Sequence, residues 1–244
     1  MNKKSYLSYL SYLYDELTFG KGWSVVQADD LSKLDEIQEL VLLNARKFSG
    51  FEKVKTMNEL RTALLTVTES DLNKLKLFLI AIPNLSIQFQ KAFLTPAKAL
   101  AGGHIFLQRK PHIMFNIPSI KNTQVMHHIE AMSGISPYTF VLWSALHEVM
   151  DGSGIYVVNQ KESIQVMNES AKKGAMMGHD VLDLEYKPLN TEYGQAIFFN
   201  PYCIHGSIGF KSSMARISIS QRFQSIEKPL FLRNSEFYFP IQLM

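Results

Sequence analysis

In Met214-Ala215-Arg216-Ile217-Ser218-Ile219-Ser220-Gln221-Arg222-Phe223, polar and apolar residues alternate from Arg216 onward, with Gln221 polar at an apolar position. A period of two is that of a strand, whose successive side chains point to opposite faces of a sheet. Read this way, Arg216 and Ser218 share one face, Ile217 and Ile219 take the other, and Arg222 has the parity of Arg216. An arginine on a buried face calls for an anion. A guanidinium beside a hydroxyl matches a carboxylate, because the planar fork donates two parallel hydrogen bonds and the hydroxyl adds a third.

Seven more runs of the same grammar precede this one, at 104–107, 113–117, 125–130, 138–146, 154–159, 180–186 and 195–199, punctuated by Pro, Gly and Asn. Short strands in such number, mostly without helices between them, predict a barrel or double-sheet jelly roll, not a doubly wound parallel sheet. Upstream the period lengthens. From 29 to 61, Asp29 or Asp30 can cap a segment with Leu31, Leu34, Ile37, Leu40 and Val41 at helical spacing. Ser70-Asp71 can cap a second helix that ends before Pro83, and a third runs from 87 to about 100, before Gly102-Gly103. Ser-Tyr-Leu triplets at 5–13 read as an amphipathic cover, and 162–173 as one inserted helix. The expectation is one domain over 1–244, with a helical part to about 100 and a β core over about 104–225.

Hydrophobic residues make up 46% of the 244 and charged residues 19%, the proportions of an ordinary globular protein. The 25 Lys and Arg against 22 Asp and Glu give +3, too little to argue for nucleic acid or an anionic membrane. The apolar stretch 77–82 is far short of the ~20 residues that span a bilayer, and no signal-peptide core forms near the start. Cys203 is the single cysteine, which excludes an internal disulfide and a CxxC site and suits a reducing, cytoplasmic setting. A metal would therefore sit on histidine and carboxylate. Of seven histidines, one stands in a tight pairing, His128-Ile129-Glu130. In a strand, His128 and Glu130 face the same side while His127 faces away. His205, where a β run ends in a turn, is the best third ligand. Two His and one carboxylate leave three positions of an octahedral ferrous ion open.

His128-x-Glu130, then His205, then Arg216-x-Ser218 eleven residues on, resembles the Fe(II)/2-oxoglutarate-dependent oxygenases over roughly 104–225. The placement of Arg216 is closest to the phytanoyl-CoA dioxygenase-like branch. Gly134-Ile135-Ser136-Pro137-Tyr138 with Trp143 is similar to bacterial oxygenases of carbohydrate and antibiotic-sugar clusters. The resemblance implies a double-stranded β-helix, a cupin-like jelly roll, buttressed by the N-terminal helices. It also implies iron on His128, Glu130 and His205 as the catalytic centre, O2 as oxidant, and the 2-oxoglutarate C5 carboxylate on Arg216 and Ser218. Glu130 stands where the family usually has Asp, and 152–159 lacks the common Pro-Gly-Ser-His ending. A retained carboxylate argues against halogenation and leaves hydroxylation, desaturation, epimerisation or ring formation.

Further assignments follow from position. Gln124 and Arg109 could bond the C1 carboxylate or a polar substrate, and Arg222 could replace Arg216 as the clamp or serve a structural or substrate role. His127 and His147 read as packing residues or as supports of the ligands, Tyr138 and Trp143 as core more than substrate platform with Tyr138 the better pocket candidate of the two, and Cys203 as near the site but not in it. A pocket bracketed by Arg109, Gln124 and Tyr138 would favour a small polar metabolite: a sugar, a sugar conjugate or an amino acid, with an acyl-CoA also open. The helices would cover the barrel mouth or form a homodimer interface. Two rival readings use the same residues, a cupin-like module whose Arg216 pairs with Glu227, and a zinc or manganese hydrolase.

Overall fold

The computed structural model describes residues 3–150, 152–174, 187–208, 210–230 and 237–244, so the strand expected at 180–186 lies outside the described residues. In chain order the elements are α1 (Lys3–Thr18), β1 (Trp23–Gln27), α2 (Leu31–Ala45), α3 (Met57–Ala63), α4 (Glu69–Ile80), α5 (Leu85–Lys91), α6 (Leu94–Ala101), β2 (His104–Gln108), β3 (His112–Asn116), β4 (Phe140–Ala145), β5 (Tyr156–Val157), α7 (Gln160–Lys172), β6 (Gln195–Phe199), β7 (His205–Gly206), β8 (Arg216–Ser225) and β9 (Tyr238–Gln242).

Capping chemistry divides the helical part more finely than its apolar period suggests. Asp30 accepts from the Ser32 amide and starts α2. The 29–61 pattern is then two helices, because Thr56 and Glu59 form a reciprocal capping box: Thr56 Oγ1 accepts from the Glu59 amide, and Glu59 Oε2 from the Lys55 amide. The cap of α4 is Thr68, which accepts from the Asp71 amide, two residues before the Ser70-Asp71 expected. The span 87–100 also splits. Phe93 leaves helical geometry, and α6 begins with Pro96 in its first turn, where a missing N–H costs nothing. None of the described helices is long and apolar enough to cross a membrane.

The strands pair antiparallel in a seven-stranded sheet ordered β1-β6-β4-β8-β2-β9, with β3 also on β8, and a two-stranded sheet of β5 and β7. One edge of β8 carries β2 and β3 end to end: Leu107 faces Phe223 and His112 faces Ser220. Four residues, Gln108 to Pro111, thus stand opposite two, Gln221 and Arg222, and the chain bulges outward there. Gln108 repairs the ladder, its Oε1 accepting from the Arg222 amide at 3.0 Å.

Alternation along β8 separates two interiors. Ile217, Ile219 and Phe223 join the large apolar cluster shared with α1 to α6, while Arg216, Ser218, Ser220 and Arg222 face the opposite way. Gln221 breaks the apolar row and is matched by Gln90 of α5, 3.2 Å away. On the far face, Val141, Trp143, Ile197 and Phe199 pack with Ile155, Val157 and Cys203 beneath the small sheet. Helices therefore cover one face of the large sheet, and the small sheet lies over the other.

Two departures matter for the site. The run 125–130 is extended but makes only an isolated bridge, His128 to His205, before the 3-10 turn Glu130–Ser133. Strands β1 and β9 were not expected. Val25 is 39% exposed and β9 alternates only weakly, so neither edge carries a strong periodic signal. Phe198 is fully buried, edge-on to Phe93 of α6's entry at 5.9 Å and to Phe223 at 6.1 Å. Phe198→Ala should lower the unfolding free energy by about 3–5 kcal/mol in urea melts, while Leu43→Ala on the exposed face of α2 changes it by less than about 0.5 kcal/mol.

Candidate metal centre and its cavity

His205 lies between two chains of the small sheet, opposite Val157 on one side and His128 on the other. His128 and His205 exchange both backbone hydrogen bonds at 3.1 Å, and their rings lie 4.1 Å apart. The residue after His205 must be glycine: a Cβ on Gly206 would come within 2.5 Å of Tyr156 Oη.

Both rings are oriented by backbone carbonyls. His128 Nδ1 is 2.9 Å from Met126 O, and His205 Nδ1 is 3.0 Å from Cys203 O. A carbonyl only accepts, so each Nδ1 carries a proton, and Nε2 is the nitrogen of each ring left to face a metal. Those two Nε2 atoms lie 4.0 and 3.7 Å from one atom, Glu130 Oε1. Burial, then the neighbouring His205, pushes His128 down to about 4, so its imidazole is neutral and able to ligate at pH 7. His128, Glu130 and His205 form the one group of three among the described residues whose donor atoms could hold a metal ion, all within 4.8 Å of one another. The donor chemistry fits a ferrous ion. The strand parity expected for His128 and Glu130 is not what unites them, since Glu130 already belongs to a 3-10 turn.

Arg222 grips the carboxylate. Its Nη2 donates to Glu130 Oε1 at 2.5 Å and its Nε to Oε2 at 2.9 Å, with both side chains buried. Burial alone would raise the Glu130 carboxyl, but the guanidinium overrides it and holds the group well below the usual carboxylate range. Arg222 Nη1 also lies 3.3 Å from His112 Nδ1. A carboxylate has about four acceptor positions, so this fork leaves room for a metal on the same group.

Arg216, 1% exposed, meets no carboxylate among the described residues. Its Nη1 donates to Ser153 O at 2.6 Å and its Nη2 to Asn116 Oδ1 at 2.5 Å, and the rings of Trp143 and Phe210 lie 5.2 and 5.5 Å from its guanidinium carbon. Its Nε, and the buried Ser218 Oγ two residues on, find no hydrogen-bond partner among the described residues. Burial pushes Arg216 down to about 9, so it remains a cation at neutral pH. The pairing with Glu227 does not occur, since Glu227 is exposed.

A cavity of about 820 Å³ joins these groups, lined by His128, Glu130, His205, Arg216 and Arg222, and opening past Lys76, Arg109 and Lys110. Of the polar bracket expected around it, only Arg109 is present. Gln124 follows the 3-10 turn Lys121–Thr123 and is not part of the lining, because that turn spends its backbone closing against Ile120 and Lys121. Tyr138 is 42% exposed and lines a separate, smaller pocket. His147 is consumed by two bonds, Nδ1 to Glu148 O and Nε2 to the Ile217 amide. His127 turns to Tyr156, and Cys203 reaches the site only through its carbonyl. Three lining or supporting residues had no place in the sequence reading: His112, Tyr238 and Asn116. Asn116 faces Arg216 directly in the β3–β8 register, which only the bulge defines.

No family model and no curated protein matches the chain. Solved structures do. EctD from S. alaskensis with bound Fe aligns with a TM-score of 0.55 and 12% identity over 94% of this chain and 79% of that one. The epimerase SnoN in complex with Fe3+, alpha ketoglutarate and nogalamycin RO gives 0.50 and 16% over 91% and 85%. The non-heme monooxygenase ThoJ, in its apo form, gives 0.51 and 13% over 88% and 77%. At such identities the likeness establishes a shared fold.

Removing one partner of the buried pair exposes its contribution. Arg222→Met should cost the metal-free protein about 3–5 kcal/mol, because Glu130 is left charged and buried. The folded carboxyl is depressed, so the contribution is complete above the ordinary carboxyl pKa of ~4.3 and is lost as pH falls below it. Urea melts from pH 7 to pH 3 should therefore show the gap between wild type and variant narrowing as Glu130 is protonated. A pH-independent gap would assign the loss to packing of the arginine stem.

Proposed function

We propose that this chain is an Fe(II)- and 2-oxoglutarate-dependent oxygenase of the phytanoyl-CoA dioxygenase-like branch, built on a closed double-stranded β-helix. One observation carries the reading. Two imidazoles aim Nε2 at one buried carboxylate oxygen, and the cavity they line also holds the buried Arg216 guanidinium, which has no carboxylate partner among the described residues and stands two residues from the unpartnered hydroxyl of Ser218 on the same strand. A hydrolase or a simple binding module would use the first half of this arrangement and leave Arg216 and Ser218 without a role.

His128 and His205 would hold iron through Nε2 and Glu130 through Oε1, while Arg222 keeps the carboxylate from turning away. Arg216 and Ser218 would receive the C5 carboxylate of 2-oxoglutarate through the Nε proton and the hydroxyl, with Ser153 O and Asn116 Oδ1 fixing the plane of the fork. When bound, ferrous iron couples oxidative decarboxylation of 2-oxoglutarate by O2, giving succinate and CO2, to oxidation of a substrate C–H bond. Trp143, Ile155 and Phe199 line the same cavity and exclude water from the reacting groups. Retention of Glu130 favours hydroxylation or desaturation over halogenation. The lone buried Cys203 suits a reducing cytoplasm.

Anaerobic titration of metal-free protein with Fe(II) and then 2-oxoglutarate should produce a visible charge-transfer band, absent in His205→Ala. Arg216→Lys keeps the charge but loses the fork, and should raise the 2-oxoglutarate requirement roughly 10- to 100-fold. No band in the wild type, with another divalent metal bound tightly, would replace the oxygenase reading with the hydrolase or binding module. An unchanged requirement in Arg216→Lys would remove Arg216 as the clamp.

A further inference from the structure

The charge of the cavity exceeds what iron and cosubstrate need. Among the described residues its walls carry Lys76, Arg109, Lys110, Arg216 and Arg222 against a single acid, Glu130. Ferrous iron and the 2-oxoglutarate dianion neutralise each other, so loading the centre leaves the excess in place. Two of the cations are deep: Arg222 is held by Glu130, and Arg216 faces the proposed cosubstrate. The other three stand at the mouth, Lys76 on α4 and Arg109 and Lys110 in the bulge between β2 and β3. Bulges re-aim side chains, and this one turns two consecutive basic residues toward the opening. Lys76 and Lys110 form no ion pair among the described residues.

Below this rim the walls are apolar. Leu77, Ile80, Ile113, Ile135 and Phe237 line the space, and Leu77 and Phe237 are 67% and 53% exposed at its mouth. Large apolar groups left open beside a cavity mark a surface that a ligand covers. Of the polar side chains in the lining, Gln108 is engaged by the Arg222 amide and Ser207 by Asn116 and the Val125 amide, which leaves chiefly the hydroxyls of Ser133, Ser220 and Tyr238. A polyhydroxylated body would lose its water here and find few partners.

We infer that the substrate is an anion with an apolar body, its carboxylate or phosphate held at the mouth by Lys76, Arg109 and Lys110 and its hydrocarbon part directed inward toward His128, Glu130 and His205. This rests on the oxygenase reading for what reacts there. Of the classes open from the sequence, it favours an acyl-CoA, an apolar amino acid or an anionic conjugate over a free sugar.

The test is calorimetric binding of octanoate, octyl phosphate and octan-1-ol to protein loaded anaerobically with Fe(II) and 2-oxoglutarate, so that no turnover occurs. At least one of the two anions should bind ten-fold or more tighter than the alcohol, with an advantage that shrinks between 50 and 500 mM salt. The preferred anion identifies the headgroup. Lys76→Gln/Lys110→Gln, on exposed side chains whose loss leaves the core intact, should weaken anion binding about three- to thirty-fold and leave octan-1-ol unchanged. Equal affinity for anion and alcohol, no binding of any of the three, or an indifferent double variant would overturn the inference. The same titrations without iron or cosubstrate separate the two proposals: anion binding without a charge-transfer band in the loaded sample retains the anion site and removes the oxygenase reading.

Discussion

A buried guanidinium on a buried carboxylate is the constraint around which the rest of this site is arranged. Neither Arg222 nor Glu130 could offset alone the several kcal/mol that desolvating its charge costs. Together they can, because the fork satisfies both oxygens of Glu130 at once. The pair joins the large sheet to the turn that follows His128, and so sets the distance between the two layers where the ligands converge. It also decides the protonation of its neighbours: Glu130 stays ionised, and His112, pushed down to about 4 by burial and then by Arg222, stays neutral.

Strand β8 makes that pair compatible with a stable core. Its outward residues close an apolar interface with six helices, and its inward residues carry two arginines and two serines. The arginines differ in what they meet. Arg222 has an internal anion, while among the described residues Arg216 has neutral acceptors only and two aromatic rings nearby. The same strand thus supplies a finished ion pair and a cation still able to take a carboxylate, six residues apart. The bulge opposite Gln221 and Arg222 belongs to the same design. It frees the Arg222 amide for Gln108 and turns Arg109 and Lys110 toward the opening.

Much of this was legible from local pattern. Period-two runs located β2, β3, β4, β6 and β8 within a residue or two, and α7 stands where 162–173 read as a helix. Helix existence was legible and helix boundaries were not, because Thr56 and Thr68 cap by contacts of three residues' range that an apolar period does not register. The run at 125–130 reads as a strand yet is held mainly by one bridge and by Ser207 Oγ on the Val125 amide. Gln124 was placed near the metal by the same strand logic, and once the strand is a turn its parity no longer applies.

By itself the sequence determined which residue types stand ready: a two-histidine, one-carboxylate donor set, an alternating strand with two arginines on one face, and no second cysteine to offer other chemistry. Those are properties of composition, spacing and the period of a strand, all short-range. Only the tertiary structure decided which arginine meets Glu130 and which does not, since parity is identical at 216 and 222. That choice depends on register across β8 and on the bulge at Gln108–Pro111, where four residues face two. The cavity's cationic rim and apolar walls are likewise assembled from α4, β3, β8 and the residues before β9, segments far apart in the chain. Charge complementarity between such segments acts through space, and no periodicity along the chain records it.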